Sequence, residues 1–274
     1  MELTWYPAPG KLNLFLHVLG RRPDGYHELQ TVFRLIDRAD TVRLSPRDDG
    51  ELRFTGPYGE DNLCLRAAHA LKAHSGTRLG ADITLEKTLP VGGGLGGGSS
   101  DAATTLVGLN RLWKLHLGRA ELMRLGVKLG ADVPVFVFGR NALGEGIGER
   151  LTALDLPPAW YLVLTPQVTV STKEIFASAL TGQSKRIKIP PFFAGQGVND
   201  LEAVVTTRYP EVAAGLSWLR QHTPKARMTG SGACLFAEFA TQAEALALHA
   251  RLPVGMSGFV AQGLDRHPLQ DWID

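Results

Sequence analysis

Six of the seven residues from Gly92 to Gly98 are glycine, and that run limits what the chain can build around it. Without Cβ atoms these positions reach positive φ freely and let a bulky group approach the backbone N–H donors. The same freedom costs conformational entropy on folding, so a run this dense needs a use. The preceding stretch, Ala81 to Lys87, alternates as a strand. The following stretch opens with the helix starters Ser99, Ser100 and Asp101, then places Ala102, Ala103, Leu106, Val107 and Leu112 at helical spacing. Strand, glycine loop and helix N-terminus together make an anion site, because unpaired N–H groups converge where the helix dipole is positive. The competing reading is a surface linker, but linkers rarely run straight into a patterned helix.

The common nucleotide loops do not fit. A dinucleotide fingerprint is matched trivially by any glycine run, yet a second helical segment, Arg119 to Leu129, stands where that fold needs a strand ending in an acidic residue. The Walker pattern fails because Ser99, not lysine, follows Gly98. No His-Arg-Asp or Asp-Phe-Gly signature lies downstream, which removes the protein-kinase set.

Composition narrows the partners. The 274 residues give one large domain or two modest ones, and 44% hydrophobic with 20% charged residues is ordinary for a globular chain. A formal charge of +2 argues against nucleic acid and against an anionic membrane, so any anion must be held by local geometry. Cys64 and Cys234 sit among apolar neighbours without metal-ligand spacing and read as buried thiols of a reducing compartment. No secretory leader pattern opens the chain, and Leu12 to Leu19 is too short to span a bilayer; a cytoplasmic location is the expectation.

Along the chain, Leu12, Leu14 and Leu16 alternate with Lys11, Asn13, Phe15 and His17. A Pro23-Asp24-Gly25 turn leads into a strand from Tyr26 to Ile36, and Thr41–Leu44 and Glu51–Thr55 read as further short strands of a small antiparallel sheet. Asn62 is a helix N-cap, and Gly144 to Glu149 is a hairpin or domain seam. In the second half come a strand at Trp160–Leu164, a capping box at Ser171–Glu174 and a basic loop with Lys185, Arg186 and Lys188. Helices near 199–208 and 210–221 follow, then the glycine turn Gly230-Ser231-Gly232, a helix from Gln242 and a strand from Gly258. The mixed order of strands and helices predicts α+β.

The string Pro90-Val-Gly-Gly-Gly-Leu95-Gly-Gly-Gly-Ser-Ser-Asp-Ala-Ala resembles the phosphate loop of the GHMP kinases, the galactokinase, homoserine, mevalonate and phosphomevalonate kinase family. Ala8-Pro9-Gly10-Lys11-Leu12-Asn13-Leu14 is similar to the family's N-terminal signature, and Gly230-Ser231-Gly232 to its third. The resemblance implies a two-domain α+β fold, with an ATP-binding and catalytic domain at 1–152 and a C-terminal domain at 153–274, and an active site in the cleft between them. It implies ATP and Mg²⁺ as cofactors, with Pro90, Val91, Gly92, Gly93, Gly94, Leu95, Gly96, Gly97, Gly98, Ser99 and Ser100 around the nucleotide and no assigned metal ligand. On residue type alone Asp132 before Val133-Pro134 fits a helix cap as well as a base, and Lys11 fits a surface charge. In the family the corresponding aspartate takes the acceptor's proton and the lysine holds it ionised.

The long glycine form resembles one branch of the family, whose acceptor is a cytidine diphosphate-linked methylerythritol of non-mevalonate isoprenoid synthesis. That likeness implies acceptor contacts from Asn13, Tyr26, His27, Thr172 and Phe176, with Tyr26 and His27 offering a stacking face and a hydrogen-bonding edge to a pyrimidine. Homoserine- or mevalonate-type kinases stay open as alternatives, as does a non-catalytic nucleotide- or RNA-binding module.

Overall fold

The computed structural model describes residues 4–178 and 197–273. The predicted basic loop at 182–191 lies outside them. The fold is organised on two long strands, β1 (Thr4–Arg21) and β2 (His27–Arg47), paired antiparallel from Thr4↔Leu44 to Arg21↔His27. Between them Arg22 N–H donates to Tyr26 O at 2.7 Å, and Gly25 takes φ +88°, which its missing Cβ permits.

The Thr41–Leu44 segment is not a separate strand but the end of β2. Asp37, Arg38 and Asp40 lie between the expected strands Tyr26–Ile36 and Thr41–Leu44. Asp40 is fully buried, accepting backbone N–H bonds from Thr88 and Leu89, and the strand runs through. The far edge of β2 is then shared by three partners: β5 (Ala142–Gly146) at Leu29–Phe33, β10 (Gly258–Leu264) at Leu35–Ile36, and β4 (Gly80–Glu86) at Thr41–Arg47. β3 (Leu52–Thr55) pairs with β4 in parallel, a departure from the antiparallel expectation, and β6 (Arg150–Ala153) completes a hairpin with β5.

Helices α1 (Leu63–Ser75), α2 (Gly97–Leu112), α3 (Arg119–Val127) and α4 (Val133–Phe138) cover this sheet. Their apolar faces close a core that includes Tyr6, Leu35, Val42, Leu71, Leu106, Leu122 and Phe136. Asn62 caps α1 as expected, its side chain accepting from Cys64 N–H at 2.8 Å.

The second half continues the same sheet beyond β2 in the order β10-β7-β9-β8, from β7 (Trp160–Leu164), β8 (Arg227–Met228) and β9 (Leu235–Phe239). With it go α5 (Thr172–Ser178), α6 (Glu202–Arg208), α7 (Pro210–His222) and α8 (Gln242–His249). The capping box opening α5 is half made, with Glu174 N–H on Ser171 Oγ at 3.4 Å, whereas Thr241 and Glu244 form a complete one on α8.

The strict alternation of β1 breaks at a register shift between Asn13 and Leu16, so Phe15 joins Leu12 and Leu14 rather than opposing them. These three pack with Val32, Tyr161, Val163, Cys234 and Phe236 in a cluster that joins the two halves of the chain. Both cysteines are free and buried. Among the described residues no helix is long and apolar enough to cross a membrane.

Candidate active site

A cavity of about 540 Å³ opens where the glycine loop, β1, the start of α4 and the Gly230–Ser231 turn meet. Three carbonyls of the loop are turned into the fold. Gly93 O accepts from Cys234 N–H at 3.1 Å, Leu95 O accepts from Lys11 N–H at 2.9 Å, and Gly94 O accepts from the Lys11 ammonium at 2.9 Å. These peptides are trans, so the N–H groups of Gly94, Leu95 and Gly96 point away from those partners, and all three residues line the cavity. A row of donors is thereby presented to an anion.

The glycines are forced by neighbours as well as by φ. Gly94 sits at φ +76°, and a Cβ there would lie 2.2 Å from Thr229 O. Gly96, at φ +72°, would place one 3.0 Å from the Phe136 ring and 3.1 Å from Lys11 Cε. Gly96 is also the N-cap of α2, with no side-chain cap. The helix therefore begins at Gly97, two residues before the expected Ser99, because a bare start leaves its first N–H groups open. Ser99 lines the cavity, while Ser100, one helical step on, is fully buried with its hydroxyl unpartnered and outside the lining.

Lys11 is 2% exposed, and its ammonium is divided between Gly94 O, Asn13 Oδ1 at 2.5 Å and Asp132 Oδ2 at 3.2 Å. Asp132 occupies the N-cap position of α4 but has helical φ and ψ and caps nothing with its side chain, leaving the carboxylate to face Lys11 and the cavity. Asn13 holds Lys11 on one side and donates to Thr31 Oγ1 at 2.8 Å on the other, so its amide mainly orients the ammonium. Thr229 ties the parts together: its hydroxyl accepts from Asn13 N–H at 2.9 Å, and its backbone packs on Gly94.

The arm beyond Lys11 is lined by Leu16, Leu29, Phe33, Ile147, Thr172 and Phe176. Thr172 Oγ1 and Ser231 Oγ are 2.8 Å apart. The rings of His27 and Phe176, from opposite halves of the chain, come within 5.4 Å of each other at a 35° tilt. Burial, with the nearby Arg21 charge, holds the His27 imidazole below its ordinary pKa and so favours its neutral form. Tyr26, 58% exposed on the β1–β2 turn, and His27 both lie outside the cavity lining, which His27 meets through the Phe176 ring.

On the other side of the glycine loop the lining continues through Tyr58, Asp61, Asn62, Leu63, Leu85 and Lys87, none of which the sequence singled out as site residues. Asn62 reads as a cap, which it is, and Lys87 as a strand end, though β4 stops one residue before it; only the fold brings them beside the loop.

Two antiparallel-rich units, with a glycine loop at their junction and beneath it a buried lysine paired to a half-buried aspartate, fit a phosphotransferase cleft. The profile described as GHMP kinases N terminal domain matches residues 62–140, and that described as GHMP kinases C terminal matches 192–254, together more than half of the chain. The chain belongs to the GHMP kinases, ATP-dependent kinases of small molecules. Its similar relatives include proteins named 4-diphosphocytidyl-2-C-methyl-D-erythritol kinase from Nitrosospira multiformis, 60% identical over 98% of this chain and 94% of the relative, and from Thiobacillus denitrificans, 57% identical over 98% of each. A crystal structure of 4-(cytidine 5'-diphospho)-2C-methyl-D-erythritol kinase superposes with a TM-score of 0.86, at 34% identity, over 95% of this chain and 99% of the other. Homoserine kinase from Cytophaga hutchinsonii, at 17% identity and a TM-score of 0.73 over 96% of this chain and 94% of its own, shares the fold.

Proposed function

We propose that this kinase transfers the γ-phosphoryl group of ATP to a hydroxyl of 4-diphosphocytidyl-2-C-methyl-D-erythritol, giving the 2-phosphate and ADP. The observation that carries the mechanism is the Lys11–Asp132 pair, 3.2 Å apart directly beneath Gly94 and Gly96 of the phosphate loop. The acceptor is supported by the identity of 53–60% to several relatives carrying that enzyme's name and by the His27–Phe176 ring pair.

Phosphoryl transfer needs its reactants aligned and its developing charge met by fixed donors. The N–H groups of Gly94 to Gly96 and the α2 N-terminus meet the phosphates. Asp132 accepts the acceptor hydroxyl's proton, and Lys11, held by three acceptors, pairs with that carboxylate and lies beside the oxygen that attacks. His27 reads the cytosine edge, Phe176 covers its face, and Asn13 and Thr172 border the acceptor.

Magnesium enters as a companion of the triphosphate. Among the described residues no group of three or more His, Cys, Asp or Glu side chains is placed to hold a metal ion. A magnesium ion accompanying the triphosphate would keep most of its waters and bind mainly through phosphate oxygens.

The test is a panel of acceptors with MgATP. The cytidine diphosphate-linked methylerythritol should yield ADP and phosphorylated acceptor one for one. Homoserine and mevalonate should stay at the acceptor-free background. A higher rate with either would overturn the acceptor assignment.

A further inference from the structure

Beside the glycine loop, with Lys87 and Asp101 in the cavity lining, is a cluster of charge that the mechanism does not use. Asp40 on β2 is fully buried, Asp101 in the first turns of α2 is 2% exposed, and both carboxylates converge on the Lys87 ammonium. Lys87 Nζ lies 2.7 Å from Asp101 Oδ2 and is also paired with Asp40 Oδ2. Asp40 Oδ1 accepts from the backbone N–H of Thr88 at 2.6 Å and of Leu89 at 2.8 Å, the residues through which the chain enters the glycine run. At the other end of the run, a Cβ on Gly97 would lie 3.1 Å from Lys87 Nζ and 3.2 Å from Asp40 Oδ2. One network therefore touches the loop where it begins and where it becomes helix. Asp101 Oδ1 is buried without a partner.

With both carboxylates ionised, the cluster carries one uncompensated negative charge beside the anion site. We propose that Asp101 and Asp40 are positioning residues which, through Lys87, fix both ends of the glycine loop and weaken its hold on a polyphosphate when Asp101 is ionised. The inference rests on the reading of this loop as the nucleotide site.

The groups facing Asp101 are Lys87 from the β4–loop corner, Asp40 from β2 and the Cys64 thiol from α1. Burial pushes the Asp101 carboxyl up; Lys87 opposes that, Asp40 adds to it, and the balance lies at about 7. Burial likewise pushes Cys64 up to about 12, so the thiol stays neutral. Lys87 stays charged, since the two carboxylates outweigh the burial that works against it. Asp101 is thus the member of the cluster whose charge changes near neutrality. A phosphate chain arriving at the loop favours its protonated form, so nucleotide binding takes up a proton.

The experiment is calorimetric titration of MgADP into the full-length protein and its Asp101→Asn variant, from pH 6 to 8.5, in buffers of different protonation enthalpy. Wild-type affinity should fall roughly 3- to 10-fold from pH 6 to 8, the scale of one unit charge acting across a loop, with net proton uptake. Asp101→Asn, isosteric and neutral, should show neither beyond the nucleotide's own ionisation, and should bind more tightly than wild type at pH 8. In steady-state assays Asp101→Ala, which strips Lys87 of one partner, should raise KM for ATP more than it lowers kcat and leave KM for the acceptor in place, with Asn restoring the ATP value. Parallel pH profiles and equal proton uptake in wild type and Asp101→Asn would overturn the inference. Wild type that binds no MgADP would instead overturn the nucleotide reading beneath it.

Discussion

Lys11 shows how one side chain can be made immobile by the atoms it touches. Its ammonium satisfies Gly94 O, Asn13 Oδ1 and Asp132 at once, and removing it leaves three buried or half-buried acceptors unmet, at about 1–3 kcal/mol each. Substitution of Lys11 therefore confounds catalysis with stability, and the acceptor side offers a cleaner experiment. His27→Ala should narrow the preference for the cytidine acceptor over its uridine counterpart by roughly 5- to 150-fold, the equivalent of one lost hydrogen bond in a buried site. Phe176→Ala should weaken both acceptors about equally, because stacking is nearly blind to base identity. The readout is the ratio of kcat/KM for the two acceptors, and an unchanged ratio in His27→Ala would move cytosine recognition to other groups. Tyr26 makes the contrast. On the page of the sequence it is the equal of His27, and both lie outside the cavity lining, yet Tyr26 stands one residue before β2 begins and is mostly exposed, whereas the His27 ring meets Phe176 of that lining.

At the level of the element, the glycine loop was the most legible part of the chain and the one whose reasons were least complete. Its composition called for close anion approach, and the carbonyls of Gly93, Gly94 and Leu95 do turn inward. That Gly94 must also clear Thr229, 135 residues away, was not readable, since the contact depends on the second unit. The same holds for the second arm of the cavity and for the Lys87–Asp40–Asp101 cluster: each member carries a local explanation as strand end, link between strands or helix start, and only the packing of β2 against β4 and α2 brings them together. Gly96→Val follows from the loop's geometry. A branched side chain at φ +72° against Phe136 and Lys11 should abolish detectable nucleotide binding and turnover together, while circular dichroism still reports a folded chain. Normal ATP titration by a folded Gly96→Val protein would place the phosphates elsewhere.

Across the whole molecule, the two expected units, 1–152 and 153–274, are stitched rather than merely adjacent. β10 pairs with β2 at Leu35–Ile36, and Leu269 and Ile273 pack in the first core. We propose that the two units unfold as one, because a cut at 152 would expose Leu12, Phe15, Val32 and Ile36. The docked tail also makes stability sensitive to acid. His267 is buried; burial, with Arg119 nearby, depresses its pKa from 6.5 to about 4, and its Nδ1 accepts from Leu269 N–H at 3.0 Å. A histidine with a depressed folded pKa contributes stability that is present above about 6.5 and is lost as pH falls toward 4, here on the order of 3 kcal/mol. The thermal midpoint should drop across that window, and His267→Asn, whose amide oxygen can accept the same bond, should flatten the drop. A wild-type midpoint level from pH 6.5 to 4 would contradict the assignment.

The proposed chemistry rests on a cleft in which the loop holds ATP and Asp132 takes the proton. Rapid-quench measurement of the first turnover in Asp132→Asn, with MgATP and the cytidine diphosphate-linked acceptor both saturating, tests that directly. The substitution preserves shape and removes the ionisable acceptor. The chemical step should slow by roughly 10²- to 10⁴-fold, with the dissociation constant for MgATP within about 2-fold of wild type. A first turnover at the wild-type rate would mean that Asp132 carries no proton, and that the pair beneath the loop is structural.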